Sequence, residues 1–140
     1  MTNRKLALII KDQNPLMLVT GDTVQHACRL MWERRVGAVL VIDDKRRLVG
    51  IFTGRDAVRT LAEGRNAAKT MLAAAMTPNP DTILPDQNAI DALRAMSDGG
   101  YRHLPIVRGG KILGIVSRGD FKGLELDRLE GEIDLWERIA

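Results

Sequence analysis

One phrase occurs twice in this chain. Leu48-Val49-Gly50-Ile51-Phe52-Thr53-Gly54-Arg55-Asp56 returns as Ile112-Leu113-Gly114-Ile115-Val116-Ser117-Arg118-Gly119-Asp120, sixty-four residues later. The glycine, the isoleucine and the closing aspartate are identical, and the other strand positions keep their apolar character. A short supersecondary unit cannot bury its apolar face alone, so a doubled unit in 140 residues predicts two copies sharing pseudo-twofold symmetry.

The repeat extends backwards. Val19-Thr20-Gly21-Asp22 matches Ile83-Leu84-Pro85-Asp86, and Ala27-Cys28-Arg29-Leu30-Met31 fits Ala92-Leu93-Arg94-Ala95-Met96 one residue further on. The second copy is therefore expected to gain a residue after Asp86. It loses one in a turn, where Asp43-Asp44-Lys45-Arg46-Arg47 faces the shorter Arg108-Gly109-Gly110-Lys111. Turns and loops absorb such changes without moving a core. The expected organisation is an N-terminal segment 1–15, a first copy 16–64, a helical connector 65–79, a second copy 80–124 and a C-terminal amphipathic helix 125–140.

Periodicity supplies the elements. In each copy an extended piece (17–20; 82–84) leads through an Asp-containing turn into a helix, whose apolar side is Val24, Ala27, Cys28, Leu30 and Met31 in the first and Ile90, Leu93, Ala95 and Met96 in the second. Strands follow at 38–42 and 48–53, and at 104–107 and 111–117, each pair joined by turn residues. A second helix opens at Arg55-Asp56 and at Gly119-Asp120. Each copy thus reads β-α-β-β-α, a mixed α/β (α+β) fold with helices packed on a small sheet. Leu61 to Met76, rich in Ala and Leu, predicts the helical connector, stopped by Thr77-Pro78-Asn79-Pro80 because proline cannot continue a helix. The tail repeats Leu126, Leu129, Ile133, Trp136 and Ala140 at helical spacing, an amphipathic stripe to be buried against its own domain or against a partner, with Trp136 favouring a dimer contact.

Composition narrows the classes. Apolar residues at 45% and charged residues at 28% describe an ordinary globular chain. The net charge of +3 is spread among nearly as many acids, and aromatics are only 4%, which argues against a nucleic-acid surface built on basic and stacking groups. One cysteine, Cys28, excludes an internal disulfide and fits a reducing compartment. The apolar run Leu6 to Ile10 is too short for a signal core or a membrane span, so the expected location is the cytoplasm, with no membrane partner.

The chemistry candidates are few. Thr53-Gly54-Arg55-Asp56 and Ser117-Arg118-Gly119-Asp120 both have the form Ser/Thr-x-x-Asp at a strand-to-helix junction. That pattern is a helix capping box, in which hydroxyl and carboxylate satisfy free backbone N–H groups. It also suits a nucleotide, since a helix N-terminus favours phosphate and an aspartate can accept both ribose hydroxyls. Arg102 and His103, ahead of the second copy's middle strand, offer further donors for phosphate oxygens. The first copy instead has Arg34-Arg35-Val36-Gly37-Ala38, so its grip on phosphate is expected to differ. His26 and His103 stand apart with no Cys or carboxylate at ligand spacing, Asp43-Asp44 reads as turn chemistry, and no nucleophile has a base. No metal site and no catalytic residue is expected.

Gly50-Ile51-Phe52-Thr53-x-x-Asp56, Gly114-Ile115-Val116-Ser117-x-x-Asp120, Arg102-His103-Leu104-Pro105-Ile106-Val107 and Met76-Thr77-Pro78 together resemble the tandem cystathionine-beta-synthase-type (CBS) domain pair, or Bateman module. The likeness runs from about Leu16 to Phe121, and the expectation is a stand-alone pair with no catalytic or transport domain. It implies a non-enzymatic regulatory module that binds an adenosine-containing ligand (AMP, ADP, ATP, an NAD-type dinucleotide or S-adenosylmethionine) in the cleft between the copies. It also implies a homodimer and signal transduction to a regulated protein. By resemblance Thr53, Arg55, Asp56, Arg102, His103, Ser117, Arg118 and Asp120 would serve ribose and phosphate. The base would lie against Val19, Thr20, Val36, Gly37 and Ala38 for one site and Ile83, Leu84, Tyr101 and Pro105 for the other. The adenosyl compound would be a ligand, with no cofactor in the catalytic sense. The rival expectation is a ligand-free oligomerisation or scaffold pair whose two boxes only cap helices.

Overall fold

The computed structural model describes residues 3–121. They form two compact units: one of Asn14–Pro80 with the hairpin tip Gly110–Ile112, the other of residues 3–13, 81–109 and 113–121. The tail helix expected at 125–140 lies outside the described residues.

The first unit is built on β1 (Met17–Val19), α2 (Val24–Arg34), β2 (Ala38–Ile42), β3 (Leu48–Thr53) and α3 (Gly54–Ala62), after α1 (Leu6–Ile9) has gone by. Two further pieces complete it, α4 (Leu72–Ala75) and β4 (Thr77–Pro78). The sheet order is β1-β2-β3-β4, with β1 parallel to β2 and the other pairs antiparallel. Central β2 is buried at every position, which is why it reads Ala-Val-Leu-Val-Ile without alternation. α2 crosses between the parallel strands and lays Val24, Ala27 and Met31 onto β2 and Phe52. Cys28 packs at the edge of that core, and burial pushes its thiol up, so it remains protonated. Asp43 folds the β2–β3 turn by accepting the N–H groups of Lys45 and Arg47 at 2.9 Å each and the Arg47 Nε at 2.9 Å. Those bonds, first that from Arg47, hold its carboxyl below the usual range.

The second unit repeats the plan with α5 (Ala89–Gly99), β5 (His103–Arg108) and β6 (Lys111–Ser117), followed by a 3-10 turn Arg118–Asp120. The tight Gly109-Gly110 turn makes β5 and β6 an antiparallel hairpin. The expected first strand is reduced to one parallel bridge, Ile83 to Ile106. Its register corrects the alignment: Leu18 pairs with Val41 as Ile83 pairs with Ile106, so Ile83 stands opposite Leu18, not Val19. From there through the helices, N-capped by Thr23 and Asn88, to β2 and β5 the spacing is constant. No residue is gained after Asp86, whereas the loss in the hairpin is real.

The larger correction concerns the segments before each copy. The expected helical connector is mostly turns: α3 ends at Ala62, Gly64 takes φ 70°, and helix resumes only for the four residues of α4. Glycine's αL conformation stops α3, and the chain needs the irregular stretch to bring Thr70 and Leu72 against α2, where Val24 N–H donates to the Thr70 carbonyl at 2.8 Å. α4 then buries Leu72 and Ala75 in the first unit's core. Its counterpart is α1: Met71 bridges Thr23 as Lys5 bridges Asn88, and Leu6 and Ile10 enter the second unit's core as Leu72 and Met76 enter the first's. Each copy therefore borrows its closing helical turn from the segment that precedes the other copy. The repeated glycine follows from this, because a Cβ at Gly50 would strike Met76 and one at Gly114 would strike Ile10 and Gln13.

Candidate functional site

Each Ser/Thr-x-x-Asp phrase sits where a core strand gives way to a helical turn, and both are capping boxes. At the first, the Asp56 Oδ2 accepts from the Thr53 N–H at 2.9 Å and its hydroxyl at 3.2 Å. At the second, the Asp120 Oδ2 accepts from the Ser117 N–H at 2.7 Å and its hydroxyl at 3.3 Å. A third box, Asn88 with Asp91, opens α5 with the same 2.9 Å bond from cap N–H to carboxylate. Capping consumes one oxygen of each carboxylate. It leaves Oδ1, so capping and binding do not exclude one another.

The two Oδ1 atoms differ. Asp56 is only 5% exposed, and its Oδ1 lies 3.1 Å from the Arg59 guanidinium and 3.3 Å from the Thr77 hydroxyl that donates to it. Arg59 is held in turn by the Ala75 carbonyl at 2.7 Å. Asp120 is exposed, and among the described residues no hydrogen bond or ion pair reaches its Oδ1.

Cations gather at the second junction. The Arg118 N–H donates to the Arg102 carbonyl at 3.1 Å, the counterpart of the Gly54 bond to Gly37 beside the pair Ala38–Thr53. This sets His103 at the position of Ala38, next to Ser117. Burial, then the positive charge of Arg102, pull the His103 imidazole below its usual value, while Asp120 opposes them. At neutral pH His103 is accordingly a neutral imidazole, with one N–H donor rather than the two of a protonated ring. Arg4 adds a guanidinium that donates to the Asp120 carbonyl at 3.0 Å. Arg4, Arg59 and Thr77 are not among the site residues expected from the sequence; the i,i+3 spacing of Asp56 and Arg59 is the signal for one, and the Leu72-Ala73 turn, matching Leu6-Ala7, leads to Thr77.

The residues expected to face the base divide. Val36 and Gly37 are exposed and lead directly to Ala38, which is buried opposite Thr53. Val19 pairs with Ile42, four residues along β2 from Ala38 and so about 13 Å away, with Thr20 beyond it. Within this unit the sheet sets Val19 and Thr20 at the end away from Thr53 and Asp56. In the second unit Ile83 and Tyr101 pack on one core, and the Tyr101 hydroxyl donates to Asp81 at 3.0 Å. Burial and that carboxylate push the phenol up to about 12. Leu84 is exposed, Pro105 is buried within β5, and Arg55 is exposed in the first turn of α3. Among the described residues no group of three or more His, Cys, Asp or Glu could hold a metal, and no helix is long and apolar enough to cross a membrane.

Two copies of one α/β unit, each with a capped aspartate after its last strand, define a tandem repeat domain. The chain belongs to the CBS domain family, whose model matches residues 9–63 and 72–126. It is 42% identical over 102 residues to the CBS domain-containing protein CBSCBSPB2 of Arabidopsis thaliana, a match that covers 72% of this chain and 19% of that protein. The chain thus spans about a fifth of the length of that relative. A candidate signal-transduction protein with CBS domains from Burkholderia ambifaria superposes with a TM-score of 0.78 at 30% identity, over 90% of this chain and 94% of the other. A CBS domain protein of Pyrobaculum aerophilum, solved in complex with AMP, superposes at 0.81 with 20% identity over 91% and 98% of the two chains, a likeness of fold.

Proposed function

We propose that this chain is a non-enzymatic adenosyl-ligand sensor: it binds an adenosine-containing compound at the Ser117–Asp120 junction and passes the change to a regulated protein. The observation that carries the reading is the Asp120 Oδ1, which no hydrogen bond or ion pair reaches among the described residues, with Arg4 on the Asp120 carbonyl and the charges of Asp120 and Arg102 both acting on His103. A ribose presents two hydroxyls to such a carboxylate and a phosphate takes the donors, which is the chemistry of AMP, ADP, ATP or an NAD-type dinucleotide. S-adenosylmethionine shares the ribose and replaces phosphate with a cation, so the Arg102 and Arg4 side favours the nucleotides over it. Binding signals only through a difference in affinity between two arrangements of the module or of its homodimer in the cytoplasm.

The test is thermal unfolding with AMP, ADP, ATP, NADH and S-adenosylmethionine, for the wild type and Asp120→Ala. A ligand at about a hundred times its dissociation constant adds roughly 2.7 kcal/mol, or several degrees at this size. A rise in the wild type that vanishes in Asp120→Ala supports the reading. No rise with any of the five favours the ligand-free scaffold, for which the third box at Asn88–Asp91 is the supporting observation, since it shows the same geometry serving a helix end alone.

A further inference from the structure

We infer that Arg59 and Thr77 form a latch that keeps the first junction shut, so that this chain takes one adenosyl ligand, at the second junction, and not two. The inference rests on the sensor reading for its ligand and on geometry for its asymmetry. In the first unit every lone-pair direction of interest on Asp56 is taken: the Thr53 N–H and hydroxyl on Oδ2, Arg59 and Thr77 on Oδ1. The carboxylate is buried, and its cation is anchored a second time on the Ala75 carbonyl, 2.7 Å away. A ribose would have to displace an ion pair between two charged groups in a partly desolvated place and would return only hydroxyl donors to the carboxylate, leaving Arg59 without it, an exchange that runs uphill.

In sequence the second copy carries neither part of the latch at the matching positions. Aligned on Asp56 and Asp120, Arg59 corresponds to Gly123, which has no side chain. Aligned on Leu72 and Leu6, Thr77 corresponds to Lys11, which is exposed. The phosphate side agrees, since Gly37 and Ala38 stand where the second unit has Arg102 and His103.

Calorimetric titration of the full chain with AMP tests the latch. The wild type is expected to bind about one AMP per chain, and Asp120→Asn to weaken it by about a hundredfold, the loss of one charge-assisted pair. Arg59→Gly, which copies the second junction, is expected to add a second molecule, and Arg59→Gly with Asp120→Asn to restore one. Two AMP per wild-type chain, or Asp120→Asn binding one with unchanged affinity, overturns the latch, as does Arg59→Gly adding none to a wild type that binds one. If neither wild type nor Arg59→Gly binds AMP or any of the other four compounds, the sensor reading fails, and the latch is judged without ligand. Asp56→Asn should then lower the unfolding midpoint by several degrees and Asp120→Asn by about one or less. Equal shifts overturn it.

Discussion

The two units carry the same closing phrase and put it to different use. In the first, Asp56 is buried under Arg59 and Thr77; in the second, Asp120 caps its turn and, among the described residues, no bond reaches its Oδ1. Both phrases cap their turns with the same hydrogen bonds, so the difference comes from residues outside them: Arg59 further along α3, and α4–β4 and α1, which arrive from the segment preceding the other copy. A motif sets the local hydrogen bonds, and its surroundings decide what remains for a ligand.

The largest test of that exchange is Leu6→Ala against Leu72→Ala. Both side chains are fully buried, and each truncation should cost about 2–5 kcal/mol. The informative readout is where the loss falls: hydrogen exchange should show Leu6→Ala unprotecting β5 and Leu72→Ala unprotecting β2. Should Leu6→Ala unprotect β2 first, the assignment of α1 to the second unit is wrong.

Next in size is Gln13. Its amide donates to the Ile115 carbonyl at 2.8 Å and accepts the Ile115 N–H at 2.9 Å, replacing the backbone partner that Thr77 gives Ile51 in the first unit. Gln13→Ala should cost about 1–2 kcal/mol by urea denaturation, because it orphans two half-buried backbone groups, while Thr77→Ala leaves the β4 ladder in place. A loss from Thr77→Ala as large would remove the contrast.

A smaller effect separates the helix ends. Arg35 closes α2 at φ 54° and Gly100 closes α5 at φ 72°. Only glycine takes that conformation without cost, so Arg35→Gly should stabilise by about 1 kcal/mol and Gly100→Ala destabilise by about as much, read as opposite shifts in midpoint.

The smallest is pH-dependent. The folded His103 titrates below its ordinary 6.5, so the folded state disfavours its charged form. Its contribution is present above the unfolded value and is lost as pH falls through the folded one. His103→Gln should flatten the acid limb of a stability–pH curve below about 6.5, whereas a change at Ala38, its counterpart, cannot. An unchanged limb would mean that His103 is not held neutral.

Much of the fold was legible. β2, β3 and β6 fall where the apolar runs and turn residues put them, and the capping boxes are visible as Ser/Thr-x-x-Asp. The borrowed turns were hidden because four-residue helices such as Leu6–Ile9 leave no period to read. The resemblance implies that Val19 and Thr20 share a base slot with Val36 and Ala38, and the distance between them within this unit, set by the parallel register, is not legible in the sequence.

What the sequence by itself determined is the doubled unit, its strands, helices and caps, since these rest on contacts between residues a few positions apart. The Asp56–Arg59 pair, three residues apart on α3, belongs with these. The tertiary structure alone decided which preceding segment completes each core, and thereby that Asp56 meets Thr77 while Asp120 stays exposed. Burial and the Thr77 bond depend on approach in space between distant segments, and a local pattern carries no record of that approach.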